Sequence, residues 1–354
     1  MISFSEIQSI LTDDSRERLE SLARQSKQLT EQYFGRTISL YAPIYLSNYC
    51  SSHCTYCGFH IKNKINRVRL KPEQMHTEMK HVAATGIENI LLLTGESYKA
   101  TPTSYLIEAA DIAKQYFTAV SMEVHPMETD EYKELFTNGV DGITIYQETY
   151  DRTRYKEVHL YGKKANYDFR YDAAERVCKS GMRQLSIGIL LGLGPLAEDL
   201  HSLYQHLRFL EKNYPGVEYS VSFPRLRKIK GRDFAICDVD DKQFIKIICL
   251  TRILFPRVGI NLSTREDAKL RDNILELGIT KISAGSNTSV GGYEMFPPED
   301  QDPQFDISDK RPVDEIVQML KKRRFDPVFT DWRPINNNRG QSPIFSHLSQ
   351  KGLE

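Results

Sequence analysis

Residues 38–46 read I-S-L-Y-A-P-I-Y-L, and four positions further on residues 50–57 read C-S-S-H-C-T-Y-C. The first run is rich in Ile, Leu and Tyr and reads as a strand. The second stands on the loop that follows it. Cys50, Cys54 and Cys57 have CxxxCxxC spacing, and three thiolates this close can hold three irons of a [4Fe–4S] cube. No fourth cysteine lies near, so one iron would stay open to an outside ligand, as reactive metal sites keep a position free. Two other readings fit the same residues: a zinc site completed by His53 or His60, and a coincidence of core cysteines. Spacing favours iron–sulfur, as do Tyr56 before the last cysteine and Gly58-Phe59 after it.

Outward from this loop the chain alternates. A basic stretch, 62–69, leads into a helix over 71–85, with Pro72 in its first turn and Gly86 at its stop. Strands are then expected at 89–93, 118–124, 141–147, 184–191, 217–222, 257–263 and 280–284. Helices are expected at 103–116, 129–138 from a Thr129 cap, 168–180, 197–213, 240–254, 265–277 and 312–323. With 38–46 this gives eight strand–helix units and points to a parallel (β/α)8 barrel, the TIM type, over 35–324. A doubly wound open sheet has the same local pattern. Residues 1–34 carry Leu19, Leu22 and Leu29 at helical intervals and read as a helical extension capping the barrel or as a loosely held arm. Residues 291–309 are the one loop-like insert. Residues 325–354 read as a tail laid over the barrel.

The chain has 354 residues, formal net charge +0 and 40% hydrophobic residues, enough for one large core. No long apolar run implies a membrane span, and residues 1–20 lack the apolar core of a signal peptide. The charge balance argues against a nucleic-acid partner. Six cysteines in so long a chain do not make a disulfide scaffold. A reduced, cytoplasmic setting follows, with Cys178, Cys237 and Cys249 as ordinary buried thiols.

Barrel enzymes gather their chemistry where strands end. There the sequence places Asn48 and the cysteines, Thr94-Gly95-Glu96, Glu123 and His125, Gln147-Glu148-Thr149, Arg170, Ser222 and Arg225, Ser263 to Glu266, and Ser283 to Ser286. Carboxylates can meet ammonium groups, arginines can fork onto carboxylates, and glycines let backbone approach a nucleotide.

The motif Cys50-x-x-x-Cys54-x-Tyr56-Cys57 resembles the signature of the radical S-adenosylmethionine (SAM) superfamily. The resemblance implies a [4Fe–4S] cluster whose open iron is chelated by SAM and whose electron cleaves it to a 5′-deoxyadenosyl radical. It also assigns roles. Thr94-Gly95-Glu96 resembles a GGE-type motif holding the SAM amino group, with Thr94 in place of its first glycine. Tyr56 belongs to the same cofactor-binding set. Glu148 resembles the acid on the SAM ribose and Arg170 the arginine reaching the SAM carboxylate.

From residue 38 to 332 the chain further resembles the 2-iminoacetate synthase (tyrosine lyase) family of thiamine biosynthesis. The carrying stretches are residues 45–50, 92–96, 146–150, 263–266 and 283–286, and the second half of the barrel resembles the biotin and thiamine synthesis associated region. The resemblance implies cleavage of the Cα–Cβ bond of L-tyrosine to 2-iminoacetate and p-cresol. It also implies a thiazole synthase as consumer and a flavodoxin or ferredoxin as electron donor. Arg265 is the expected partner of the substrate carboxylate, with hydrogen bonds from Ser263, Ser283 and Ser286. An ion pair of Arg265 with Glu266 or Asp267 is the plain alternative. The absence of cysteine after Cys249 argues against the second cluster of hydrogenase-maturation tyrosine lyases. A lyase of another aromatic amino acid such as tryptophan, and a zinc-binding interaction module, are the other functional readings.

Overall fold

The computed structural model describes residues 2–226 and 238–330. Its strands are β1 (Thr37–Ser47), β2 (His53–Cys54), β3 (Asn89–Thr94), β4 (Ala119–Glu123), β5 (Gly142–Glu148), β6 (His159–Tyr161), β7 (Gln184–Ile189), β8 (Glu218–Ser222), β9 (Gly259–Leu262), β10 (Lys281–Ser283) and β11 (Asp326–Val328). Eight of them, β1, β3, β4, β5, β7, β8, β9 and β10, pair in chain order. Every pairing between them is parallel. Ser39, Leu40 and Tyr41 of β1 pair with Lys281, Ile282 and Ser283 of β10, which closes the ring. Closure decides for the (β/α)8 barrel against the doubly wound sheet.

The helices are α1 (Phe4–Thr12), α2 (Arg16–Phe34), α3 (Pro72–Ala84), α4 (Thr103–Ala113), α5 (Thr129–Thr137), α6 (Arg152–Val158), α7 (Tyr167–Tyr171), α8 (Ala173–Lys179), α9 (Leu196–Asn213), α10 (Asp241–Leu254), α11 (Ala268–Ile274) and α12 (Val313–Lys322). The first two lie against the barrel's outer helices. Ser26 donates to the Leu277 carbonyl at 2.6 Å, and Lys246 of α10 donates to the Leu11 carbonyl at 3.0 Å. Leu22 is buried, while Leu19 and Leu29 are half-buried.

The elements depart from the sequence reading where local signals are short. The expected helix 168–180 is two pieces, α7 and α8, joined at Asp172. The helix expected from 265 starts at Ala268, because Asp267 caps it by accepting from the Leu270 N–H at 3.0 Å. Glu128, not Thr129, takes the cap position of α5; its own N–H donates to Glu131 Oε2 at 3.0 Å. The α6–β6 unit was not foreseen. Residues 326–328, expected in the tail, form β11 beside the start of β1. Cys237, Trp332 and the remainder of the expected tail lie outside the described residues.

Strands β7, β8, β9 and β10 alternate apolar and polar residues along part of their length. Ile143, Leu185, Ile187, Val221, Ile260, Leu262 and Ile282 are buried among apolar side chains. Ser121, Thr144, Ser186, Ser220, Asn261 and Lys281 take intervening positions and line a cavity of about 590 Å³ inside the barrel. Barrels of this type are usually filled by bulky branched side chains. Here serine, threonine and asparagine share the lining with Ile90, Leu91 and Ile143, and Asn261 Nδ2 donates across strands to Ser186 Oγ at 3.2 Å and Ser220 Oγ at 3.1 Å.

Candidate active site

The cysteine loop is pinned from both sides. Gly95 N–H donates to the Ser47 carbonyl at 2.8 Å, and Ser51 N–H to the Glu96 carbonyl at 2.9 Å. A side chain at Gly95 would put its Cβ 2.4 Å from the Tyr49 carbonyl oxygen, so only glycine lets the β3 turn approach this closely. Arg67, read from sequence as one of a basic run, is the inner clasp. Its guanidinium donates to the carbonyls of Asn48, Phe59 and His60 at 2.6, 2.8 and 2.7 Å.

A hairpin of β2 and β6 backs the loop. His159 on β6 has Nδ1 at 2.8 Å from the Tyr155 carbonyl, which makes Nδ1 the donor. Nε2 therefore accepts from the Tyr56 hydroxyl at 2.8 Å. Burial holds this imidazole neutral, with its pKa pushed down to about 3. Since the Tyr56 hydroxyl is engaged, its ring and backbone are what it has left for a cofactor.

The three thiols suit an iron–sulfur cube. Backbone N–H groups of Ser52 and Phe59 donate to Cys50 Sγ and Cys57 Sγ, each at 3.4 Å. Gln304 Nε2 lies 3.8 Å from Cys57 Sγ. Such donors stabilise the charge of thiolate ligands and of a cluster on them. Burial pushes the Cys50 thiol up to about 11 and raises Cys54 as well; iron would displace those protons.

Beside the loop sits a buried quartet of charges. Arg170 Nη1 donates to Glu96 Oε1 at 2.6 Å and Arg170 Nε to the Tyr146 carbonyl at 2.6 Å. Lys164 donates to Glu148 Oε1 at 2.8 Å and lies 3.8 Å from Glu96. Burial alone would raise the Glu148 carboxyl, but the charges of Lys164 and Arg170 outweigh it and hold it below its ordinary value. Glu148 has φ 72, one of two described non-glycine residues at positive φ. Such strain persists where surrounding contacts over-determine it. Here Asp199 accepts from the next two residues, Thr149 Oγ1 at 2.9 Å and Tyr150 N–H at 2.6 Å. Glu96 Oε2 is buried with no hydrogen-bond partner among the described residues. An acceptor left open beside three thiols fits the ammonium of a chelating amino acid. Lys164 and Asp199 were missed from sequence; nothing local marks either.

Across the mouth, the Arg265 guanidinium lies 3.4 Å from the Phe305 ring centroid. Of its expected rivals, Glu266 accepts from Arg225 Nε at 3.0 Å and Asp267 caps α11. Ser263 Oγ accepts from the Arg265 N–H at 3.4 Å, and Ser283 Oγ from the Thr264 N–H at 3.1 Å. These two serines shape the turn that presents Arg265. Ser286 Oγ is buried without a hydrogen-bond partner among the described residues. The insert 291–309 is folded onto the barrel: buried Glu78 accepts from the N–H groups of Tyr293, Glu294 and Met295. Cys178 and Cys249 are buried beside Tyr219 and Leu277, away from the mouth.

Residues 44–207 match the model of the radical SAM superfamily, and residues 222–326 that of the biotin and thiamin synthesis associated domain. The chain is 36% identical to 2-iminoacetate synthase of Salmonella typhimurium, over 94% of this chain and 88% of that protein. It is 37% identical to 2-iminoacetate synthase of Escherichia coli, over 89% and 83% of the two. The chain belongs to the 2-iminoacetate synthase family of radical SAM enzymes. The crystal structure of HydG from Carboxydothermus hydrogenoformans, an FeFe-hydrogenase maturase, superposes with TM-score 0.86 at 34% identity over 93% of this chain and 76% of that one.

Family membership brings a [4Fe–4S] cluster and SAM, and the geometry fits both. The superfamily match spans Cys50, Cys54, Cys57, Glu96, Glu148 and Arg170. The second match spans Ser263, Arg265, Ser283 and Ser286. The two groups of residues around the mouth thus lie in successive matched stretches of one barrel.

Proposed function

We propose that this protein cleaves the Cα–Cβ bond of L-tyrosine to 2-iminoacetate and p-cresol, with SAM converted to 5′-deoxyadenosine and methionine, for the thiazole of thiamine. The observation that carries the reading is whole-length likeness to two 2-iminoacetate synthases. When bound, the cluster and SAM supply a carbon radical able to remove a hydrogen atom from the substrate amino group.

The chain's own part is to hold and to exclude. Cys50, Cys54 and Cys57 would ligate three irons. Glu96 would take the SAM ammonium on its open oxygen, with Gly95 giving backbone access and Tyr56 lying beside the nucleoside. Glu148 would accept from the ribose hydroxyls, and Arg170 would reach the SAM carboxylate while steadying Glu96. Arg265, aided by Ser286 and the Ser263–Ser283 turn, would fork onto the tyrosine carboxylate. Holding the reacting atoms in near-attack geometry is where such a protein contributes most to rate.

A flavodoxin or ferredoxin as donor, a thiazole synthase as consumer and a cytoplasmic setting complete the proposal. Among the described residues no helix is long and apolar enough to cross a membrane. We divide the chain into a helical extension (1–34), the barrel (35–324) and a tail (325–354), with β11 closing against the barrel.

Anaerobic incubation of reconstituted protein with SAM, a reductant and tyrosine tests the reading. The expected product is p-cresol, formed with 5′-deoxyadenosine and lost in Cys54→Ala. Methylindole-type products from tryptophan, with none from tyrosine, would replace the substrate. Intact SAM under reducing conditions would remove the chemistry.

A further inference from the structure

Glu123 ends β4 and shares a pleat face with Ser121, which lines the internal cavity. Among the described residues, no hydrogen bond holds its carboxylate. Its charged and titratable surroundings come from every side. Tyr41 and Tyr45 approach from β1 and Tyr146 from β5. Glu148, Lys164, Arg170 and Arg265 act on it from the rim. In the sheet it is in register with Leu93 of β3 and Thr144 of β5, at the strand ends that lead to Glu96 and Glu148.

A hydrogen atom removed from an ammonium leaves a radical cation; removed from a free amine, it leaves a neutral radical. In a mouth already holding Lys164, Arg170 and Arg265, a further cation is costly at low effective dielectric. The ammonium must first lose a proton. Glu96 is committed to Arg170 and Glu148 to Lys164. Glu123 is the carboxylate at hand.

We propose that Glu123 is the catalytic base that deprotonates the substrate ammonium before hydrogen-atom removal. The inference rests on the reading that the substrate is an amino acid reacting at its N–H. The N–H electron pair stays on nitrogen as the lone pair, the carboxylate becomes a carboxylic acid, and nothing is oxidised or reduced. Burial, reinforced by the Glu148 charge, pushes the Glu123 carboxyl up to about 7, close to the value that suits a base working near neutral pH.

The test uses the full, cluster-loaded protein with SAM bound and no reductant, so that nothing turns over. Adding tyrosine at about pH 8 should convert one carboxylate infrared absorption into a carboxylic-acid one in the wild type and not in Glu123→Gln. Under turnover, Glu123→Gln should form p-cresol at least ~100-fold more slowly near neutral pH, with SAM affinity within about twofold. Its rate should recover where tyrosine's amine is already free in solution. Glu123→Asp, which keeps a base, should be slowed but retain a rate that rises with pH. A wild-type difference spectrum without the acid absorption would overturn the proposal. So would a Glu123→Gln rate and pH profile like wild type, or loss of rate together with SAM binding. Wild type that makes no p-cresol would sink the functional reading instead.

Discussion

Glu96 and Arg170 are 74 positions apart in the chain and meet at 2.6 Å, each buried, under the rim of the barrel. The pair leaves one Glu96 oxygen open and spends only part of the Arg170 fork, whose Nε is held by the Tyr146 carbonyl. One strong contact thus fixes the orientation of both side chains.

Arg170→Ala strips Glu96 of its donor and Glu148 of a neighbouring charge. A charge-assisted hydrogen bond of this kind contributes roughly 1.5–3 kcal/mol, so SAM affinity should fall about 10- to 100-fold. Arg170→Lys should recover little, because a point charge cannot serve Glu96 and the Tyr146 carbonyl together. Titration of SAM onto the cluster-loaded variants checks this; unchanged affinity would place Arg170 outside the cofactor site.

Glu148 offers a comparison in which the electrostatic loss cancels. Glu148→Ala and Glu148→Gly both leave Lys164 without its 2.8 Å partner. They differ in backbone strain, since alanine at φ 72 keeps it and glycine does not. The glycine variant should therefore be the more stable by about 1 kcal/mol, the reverse of the helical order. Urea unfolding of the two settles it. Equal midpoints would mean that the loop relaxes once the carboxylate is gone.

Much of the fold was readable from local signals. The helix stop expected at Gly86 coincides with positive φ, and the cysteine spacing marked the reactive loop. Barrel closure was not readable, because the Ser39–Lys281 pairing joins the two ends of the barrel and leaves no local trace. Lys164 and Arg67 were hidden for a related reason: each looks like a surface cation until the chain folds. The three residues of β6 are too few to show a period, so the hairpin behind the cysteines went unseen.

His206 on α9 makes stability depend on pH in a definite direction. Its Nδ1 lies 2.9 Å from the Tyr150 hydroxyl, its ring stacks on Tyr171 at 4.3 Å, and burial pushes its pKa down to about 4. The unfolded chain takes up a proton near pH 6.5, while the folded chain resists until about 4. Stability is therefore lost as pH falls between these values, by up to about 1.4 kcal/mol per pH unit from this group. His206→Gln should lower stability at neutral pH but flatten the acid slope by that amount. Denaturant midpoints across the range check it; an unaltered slope would put the proton uptake elsewhere.

Arg265 is a desolvated cation with its guanidinium over the Phe305 ring, and burial lowers its proton affinity. A cation already stripped of water attracts an incoming carboxylate more strongly than a solvated one. Arg265→Ala should raise the KM for tyrosine about 10- to 100-fold and leave SAM binding within about twofold. Arg265→Lys should behave almost as badly, because lysine has neither the fork nor the planar face that Phe305 supports. Phe305→Ala removes only the support, so its KM should lie between wild type and Arg265→Ala. That order separates a substrate clamp from a packing role, in which loss of the ring would cost as much as loss of the arginine. Tyrosine kinetics unchanged in Arg265→Ala would remove the residue from the substrate site.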